Sequence, residues 1–88
     1  MADYSVSFAR SARKEMERLP ANIDGRILKK IEGLRANPRP AGSIKLHGQR
    51  NLWRMRVGDY RVIYSIDDFL KSVAVFVIRH RRDVYRDL

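Results

Sequence analysis

Two arginines, Arg54 and Arg56, stand two apart in the run Leu52-Trp53-Arg54-Met55-Arg56-Val57. Alternation of this kind marks a half-buried β-strand and places both arginines on one face, roughly 7 Å apart. Trp53, Met55 and Val57 take the other face, which packed helices must cover, so the arginines look out from the open side. Across the two-residue turn Gly58-Asp59, Arg61 reaches the same surface. A last strand ends at Arg79 or His80, and Arg81 and Arg82 follow. At least five cations therefore converge on one face of a sheet. A guanidinium is a planar fork of donors matched to phosphate, and a group of them suits a phosphodiester backbone. The bland reading is a solvated face that keeps a sheet from aggregating. Lysine would serve that purpose equally well, yet fourteen of the 19 cations are arginine.

His80 is the only side chain in this group whose unperturbed pKa lies near neutrality, which suits it to general acid–base work. A lone histidine at a strand end reads equally as structural. Tyr85 can stack on a base, donate a proton or pack the tail against the sheet. Trp53 belongs to the core, His47 sits in a loop with no assigned role, and Asp67-Asp68 read as solvated turn acids. The chain has no Gly-rich phosphate loop, no acidic metal cluster and no serine-triad signature. With no cysteine and two histidines a zinc site is not expected, nor is any other metal or cofactor.

The elements that must position these residues follow from periodicity. Residues 4–8 alternate as a strand, and Ser7 is placed to cap a helix after it. Phe8, Ala12, Met16 and Leu19 recur at helical spacing. Pro20 breaks that stripe and can open a second helix at its first position, whose face is Ile23, Ile27, Ile31 and Leu34. Asn37-Pro38-Arg39-Pro40-Ala41-Gly42 ends it. Strands follow at Leu52–Val57, 60–66 and 72–78, the last so apolar that it reads as central and buried on both faces. Residues 81–88 form a short helix or arm. The expected fold is α+β: an N-terminal helical hairpin packed on one face of an antiparallel sheet, in the order β-α-α-β-β-β.

A chain of 88 residues, 44% of them apolar, is one small globular domain over residues 1–88. Its net charge of +9 calls for a polyanionic or acidic partner. The longest apolar stretch, Ser72-Val73-Ala74-Val75-Phe76-Val77-Ile78, is far short of a membrane span, and no charged-then-apolar leader opens the chain. No membrane association is expected, and the expected location is the cytoplasm.

The run from Leu52 through Asp59-Tyr60-Arg61 to Tyr64, together with the apolar strand and His80-Arg81-Arg82-Asp83-Val84-Tyr85-Arg86, resembles the RelE/ParE superfamily of bacterial toxins. The helical hairpin, the Asn37-Pro38 break and Lys45-Leu46 fit as well, so the resemblance covers almost the whole chain. It implies the toxin of a type II toxin–antitoxin pair, neutralised by a cognate acidic antitoxin and meeting operator DNA only through that complex. The RelE branch cuts messenger RNA on the ribosome without metal, through attack of a 2′-hydroxyl on the adjacent phosphate. The ParE branch poisons DNA gyrase, and a third possibility is a basic nucleic-acid-binding module without catalysis. The basic and aromatic residues after the last strand favour the RelE branch. By position in that family, Arg61 holds the scissile phosphate, Arg81 or Arg82 lies near the leaving group, and Tyr85 stacks on or orients the nucleotide. Arg54, Arg56, Arg79 and Lys45 are the implied RNA contacts. Arg54 and Arg56 stand where the best-known members carry lysine, and arginine cannot serve as a base. The proton acceptor implied is then His80, a group on the ribosome, or none that is efficient.

Overall fold

A computed structural model describes residues 3–48 and 51–84. Strand β1 (Ser5–Phe8) leads into helix α1 (Arg10–Arg18), then α2 (Ala21–Glu32), which closes with a 3-10 turn at Gly33–Arg35. Four strands follow: β2 (Ile44–Lys45), β3 (Leu52–Val57), β4 (Tyr60–Asp67) and β5 (Ser72–His80). The single-turn helix α3 (Arg81–Val84) comes last. The sheet order is β1-β5-β4-β3-β2.

The hairpin of helices is where the apolar stripes put it. Ala12 from α1, Ile27 and Ile31 from α2, and Leu34 just beyond it are fully buried. They meet Met55, Val57, Val62, Tyr64, Ile66, Val73, Val75 and Ile78 in one core. Each large aliphatic side chain so buried is worth about 1.5–3 kcal/mol. No helix among the described residues is long and apolar enough to cross a membrane.

Four details differ from the sequence-based expectation. The sheet is mixed: β1 runs parallel to β5, pairing Ser5 with Ser72 through Phe8 with Val75. Parallel pairing needs a long crossover, and here the helices and three strands supply it. Second, β4 rather than β5 occupies the middle of the sheet, and Phe76 of β5 is 39% exposed, so β5 is covered on one face. Third, Ser7 lies within β1. The α1 N-cap is Ala9, with no side-chain cap, and the Pro20 expected inside α2 is its N-cap. Fourth, the two-residue strand β2 pairs Ile44 with Arg54 and Lys45 with Trp53, a pairing too short to leave a periodic signal.

One irregularity sets the orientation of the end of β5. Ile63 pairs with Val77 but Tyr64 pairs with Val75, so Phe76 is an extra residue in the ladder. The Ser11 hydroxyl of α1 donates to the Phe76 carbonyl at 3.0 Å. A bulge of this kind reverses the alternation beyond it. Ile78 therefore turns into the core, and Arg79 turns to the opposite face.

Candidate functional site: an arginine row on the open sheet face

Register brings three arginines abreast. Arg56 of β3 pairs with Arg61 of β4, and Arg61 pairs with Arg79 of β5. Directly opposed residues on one sheet face have Cβ atoms about 4.5–5.5 Å apart, and like charges so placed are destabilising. Sequence alternation puts Arg54 on this face one row further along, beside Ile63. The face stays open because the helices cover the side that carries Met55, Val57 and Val62.

The turn between β3 and β4 completes a hollow of about 470 Å³, walled by Arg56, Gly58, Asp59, Tyr60, Arg61, Arg81 and Arg82. Gly58 sits at φ +60, the left-handed first position of a tight hairpin turn that glycine fills without strain. The Arg81 backbone N–H donates to the Asp59 carbonyl at 2.8 Å, tying the start of α3 to that turn. Arg56, Arg81 and Arg82 are exposed and Arg61 is half-buried, its Nε shut off from solvent. A guanidinium keeps its charge under any physiological condition. Among the described residues, the hollow thus sets four permanent cations beside Asp59.

Arg79 is steadied from α1. Its Nε lies 3.4 Å from Glu15, both side chains being a quarter to a third exposed. The two residues are 64 apart in the chain, so nothing in the pattern around Glu15 announced this contact.

Two expected members are elsewhere. His80 pairs across the sheet with Tyr60 and meets its ring edge-on at 5.3 Å. It lines a neighbouring hollow with Pro20, Asn22, Ile23 and Arg26 on the helix side of the sheet, which shares Gly58, Asp59 and Tyr60 with the first. Its Nδ1 accepts the Arg82 backbone N–H at 3.2 Å. The bulge at Phe76 is the physical reason: it gives Arg79, not His80, to the arginine face. Lys45 pairs with Trp53 and so shares the helix-side face at the far edge, away from the row. Tyr85 lies outside the described residues. Among the described residues no group of three or more His, Asp and Glu is placed to hold a metal ion.

The far end of β4 is built differently. Asp68 accepts hydrogen bonds from the Tyr4 hydroxyl at 2.7 Å and from both terminal nitrogens of Arg39, at 3.2 and 2.8 Å. Arg39 also lies over the Trp53 ring, 5.1 Å from its centroid. The Arg39 and Tyr4 hydrogen bonds hold the Asp68 carboxyl down to about 2. The neighbouring Tyr64 hydroxyl donates to the Pro38 carbonyl at 2.9 Å, and burial pushes its pKa up. Asp68 is therefore no idle turn acid. Asp67 is not one either, since its carboxylate accepts the Leu70 N–H at 2.9 Å.

Comparisons with known proteins agree with this fold. The family model described as the ParE toxin of type II toxin–antitoxin systems, parDE, matches residues 6–85. The chain is 31% identical over 84 residues to toxin RelG of Mycobacterium tuberculosis, covering 94% of this chain and 97% of that protein. It is 33% identical over 84 residues to toxin RelE of the same organism, covering 94% and 87% respectively. Among solved structures, the archaeal RelE–RelB complex from Pyrococcus horikoshii contains a chain with a TM-score of 0.80 and 32% identity. That match covers 92% of this chain and 97% of the other.

Proposed function

The chain belongs to the ParE toxin family of type II toxin–antitoxin systems, within the RelE/ParE superfamily, and from that premise we propose that it is a ribosome-dependent endoribonuclease of the RelE kind. The observation that carries the proposal is the row Arg56–Arg61–Arg79 with Arg81 and Arg82 at its end. Like charges set abreast cost stability, and a phosphodiester in the hollow would offset that cost.

In the proposed reaction the 2′-oxygen of one nucleotide attacks the adjacent phosphorus and the 5′-oxygen of the next departs. The products are a 2′,3′-cyclic phosphate and a 5′-hydroxyl. The phosphorane-like transition state bears more negative charge than the substrate, and fixed guanidinium groups favour it differentially. Arg61, central and half-buried, holds the scissile phosphate. Arg81 and Arg82 lie over the leaving oxygen, and Arg54, Arg56 and Arg79 hold the flanking backbone. Tyr85 is proposed to stack on the substrate nucleotide. None of the arginines can take the 2′-proton. His80 stands on the other side of the sheet, so both the acceptor of the 2′-proton and the donor that makes the departing 5′-oxygen a hydroxyl are assigned to the ribosome.

The partner that restrains this activity is proposed to be a cognate acidic antitoxin. The Pyrococcus relative was solved with its RelB, and a net charge of +9 gives an acidic chain a steep electrostatic advantage. A second reading, gyrase inhibition without cleavage, is favoured by the family model, which describes ParE. Expression of the chain alone separates them. Growth arrest with cleaved messenger, reversed by co-expression of the antitoxin, supports the ribonuclease. Arrest with DNA-damage signalling and intact messenger supports the gyrase reading.

A further inference from the structure

A second basic surface lies around the corner from the arginine row. Arg26, Lys29 and Lys30 of α2 are exposed and follow one another at the i, i+3, i+4 spacing of a single helix face. Together with Arg56 they wall a hollow of about 570 Å³ between α2 and the end of β3. This hollow and the one in front of Arg61 share Arg56 and Gly58, so the two meet at the hairpin turn. The space around both of its glycines is open. A Cβ at Gly33 would meet nothing within 4 Å, and one at Gly58 would come only to 3.8 Å from the Arg26 guanidinium.

We propose that this hollow carries the phosphates of the RNA beyond the cleavage site, so that the backbone runs from Arg61 past Arg56 onto the Arg26–Lys29–Lys30 face of α2. The proposal rests on the ribonuclease reading of the arginine row. Three features select RNA backbone as the occupant. Among the described residues, the hollow is bordered by four cations and no Asp or Glu. Its described lining carries no aromatic side chain on which a base could stack, so the contacts it offers are with phosphate and independent of sequence. It is also continuous with the proposed cleavage site, whereas an acidic protein would need apolar anchors that only Pro40 and Val57 provide here. Like charges at i, i+3 and i, i+4 weaken α2 slightly, a cost that bound phosphate would offset.

The test uses the full chain and a triple variant, Arg26→Gln/Lys29→Gln/Lys30→Gln, which keeps good helix formers at each position. The probes are uncleavable 2′-O-methyl oligonucleotides of about 3 and about 12 nucleotides, a range that brackets typical single-strand site sizes. The triple variant should bind the short probe as wild type does and the long probe at least tenfold more weakly. Its affinity should also depend less on salt, the log–log slope falling by about 0.7 for each phosphate that the variant no longer neutralises. Lys30→Glu alone should act in the same direction, and thermal unfolding checks that each variant is folded. Equal binding of the long probe by wild type and both variants would overturn the proposal. So would loss of antitoxin affinity with RNA binding unchanged, which would give the surface to the protein partner. Failure of wild type to bind either probe, both free and held in the ribosome, would contradict the ribonuclease reading itself.

Discussion

The two ends of strand β4 use arginine in opposite ways. After its last residue, Arg39 is committed: both terminal nitrogens are on Asp68, its plane lies over Trp53, and Tyr4 closes the same carboxylate. That cluster joins the segment before β1, the loop after α2, strand β3 and the β4–β5 turn. At the first residues of β4, Arg61 lies between Arg56 and Arg79, three cations abreast with Glu15 as the carboxylate on Arg79. One end spends its guanidinium on holding the chain together. The other concentrates guanidinium groups on the open sheet face, outside the core cluster. Charge that is matched locally reads as structure, and charge accumulated against its own repulsion reads as a site for an anionic partner.

The comparison breaks most visibly at Arg61. Arg61→Ala should reduce single-turnover cleavage of ribosome-bound messenger by two orders of magnitude or more, about 2.7 kcal/mol of transition-state stabilisation. Its melting temperature should stay near wild type, because the change relieves repulsion as it removes packing. Arg61→Lys should recover only part of the activity, since a compact ammonium replaces a two-pronged contact. At the other end the pattern inverts. Tyr64→Phe leaves the Pro38 carbonyl without its donor and should cost about 1 kcal/mol in denaturant unfolding. Its cleavage rate should be unchanged. Asp68→Asn should lower the melting temperature by a smaller amount, again with full activity.

The smallest effect is a pH dependence. The Asp68 carboxyl is held to about 2 in the folded chain, below its ordinary value near 3.9. A depressed carboxylate contributes stability that is present above its unfolded pKa and lost as pH falls through the folded one. The wild type should therefore lose melting temperature between about pH 4 and pH 2, and Asp68→Asn should lose less over the same interval.

Much of the arginine face was legible in the sequence, because two-residue periodicity in Leu52–Val57 and across the Gly58-Asp59 turn fixes which side Arg54, Arg56 and Arg61 take. The helical stripes were equally plain, as Ile27, Ile31 and Leu34 show by their complete burial. What the pattern could not carry is non-local. The parallel partner of β1 lies some sixty-seven residues away at Ser72–Val75. The Phe76 bulge, which decides between Arg79 and His80, depends on a ladder irregularity with no signature of its own. Asp68 looked like a solvated turn acid because its partners, Tyr4 and Arg39, are distant in the chain. Lys45 was drawn to the site by family resemblance, and the brief pairing of β2 sends it to the opposite face.

The central claim is that the arginine row cleaves RNA. The most direct measurement mixes the purified chain with ribosomes holding a defined messenger and analyses the RNA ends. In parallel, gyrase supercoiling is followed with the same preparation. The account predicts messenger cut to fragments ending in 2′,3′-cyclic phosphate and 5′-hydroxyl, no cutting by folded Arg61→Ala, and unimpaired supercoiling. Intact messenger with supercoiling blocked, or fragments produced equally well by Arg61→Ala, would contradict it.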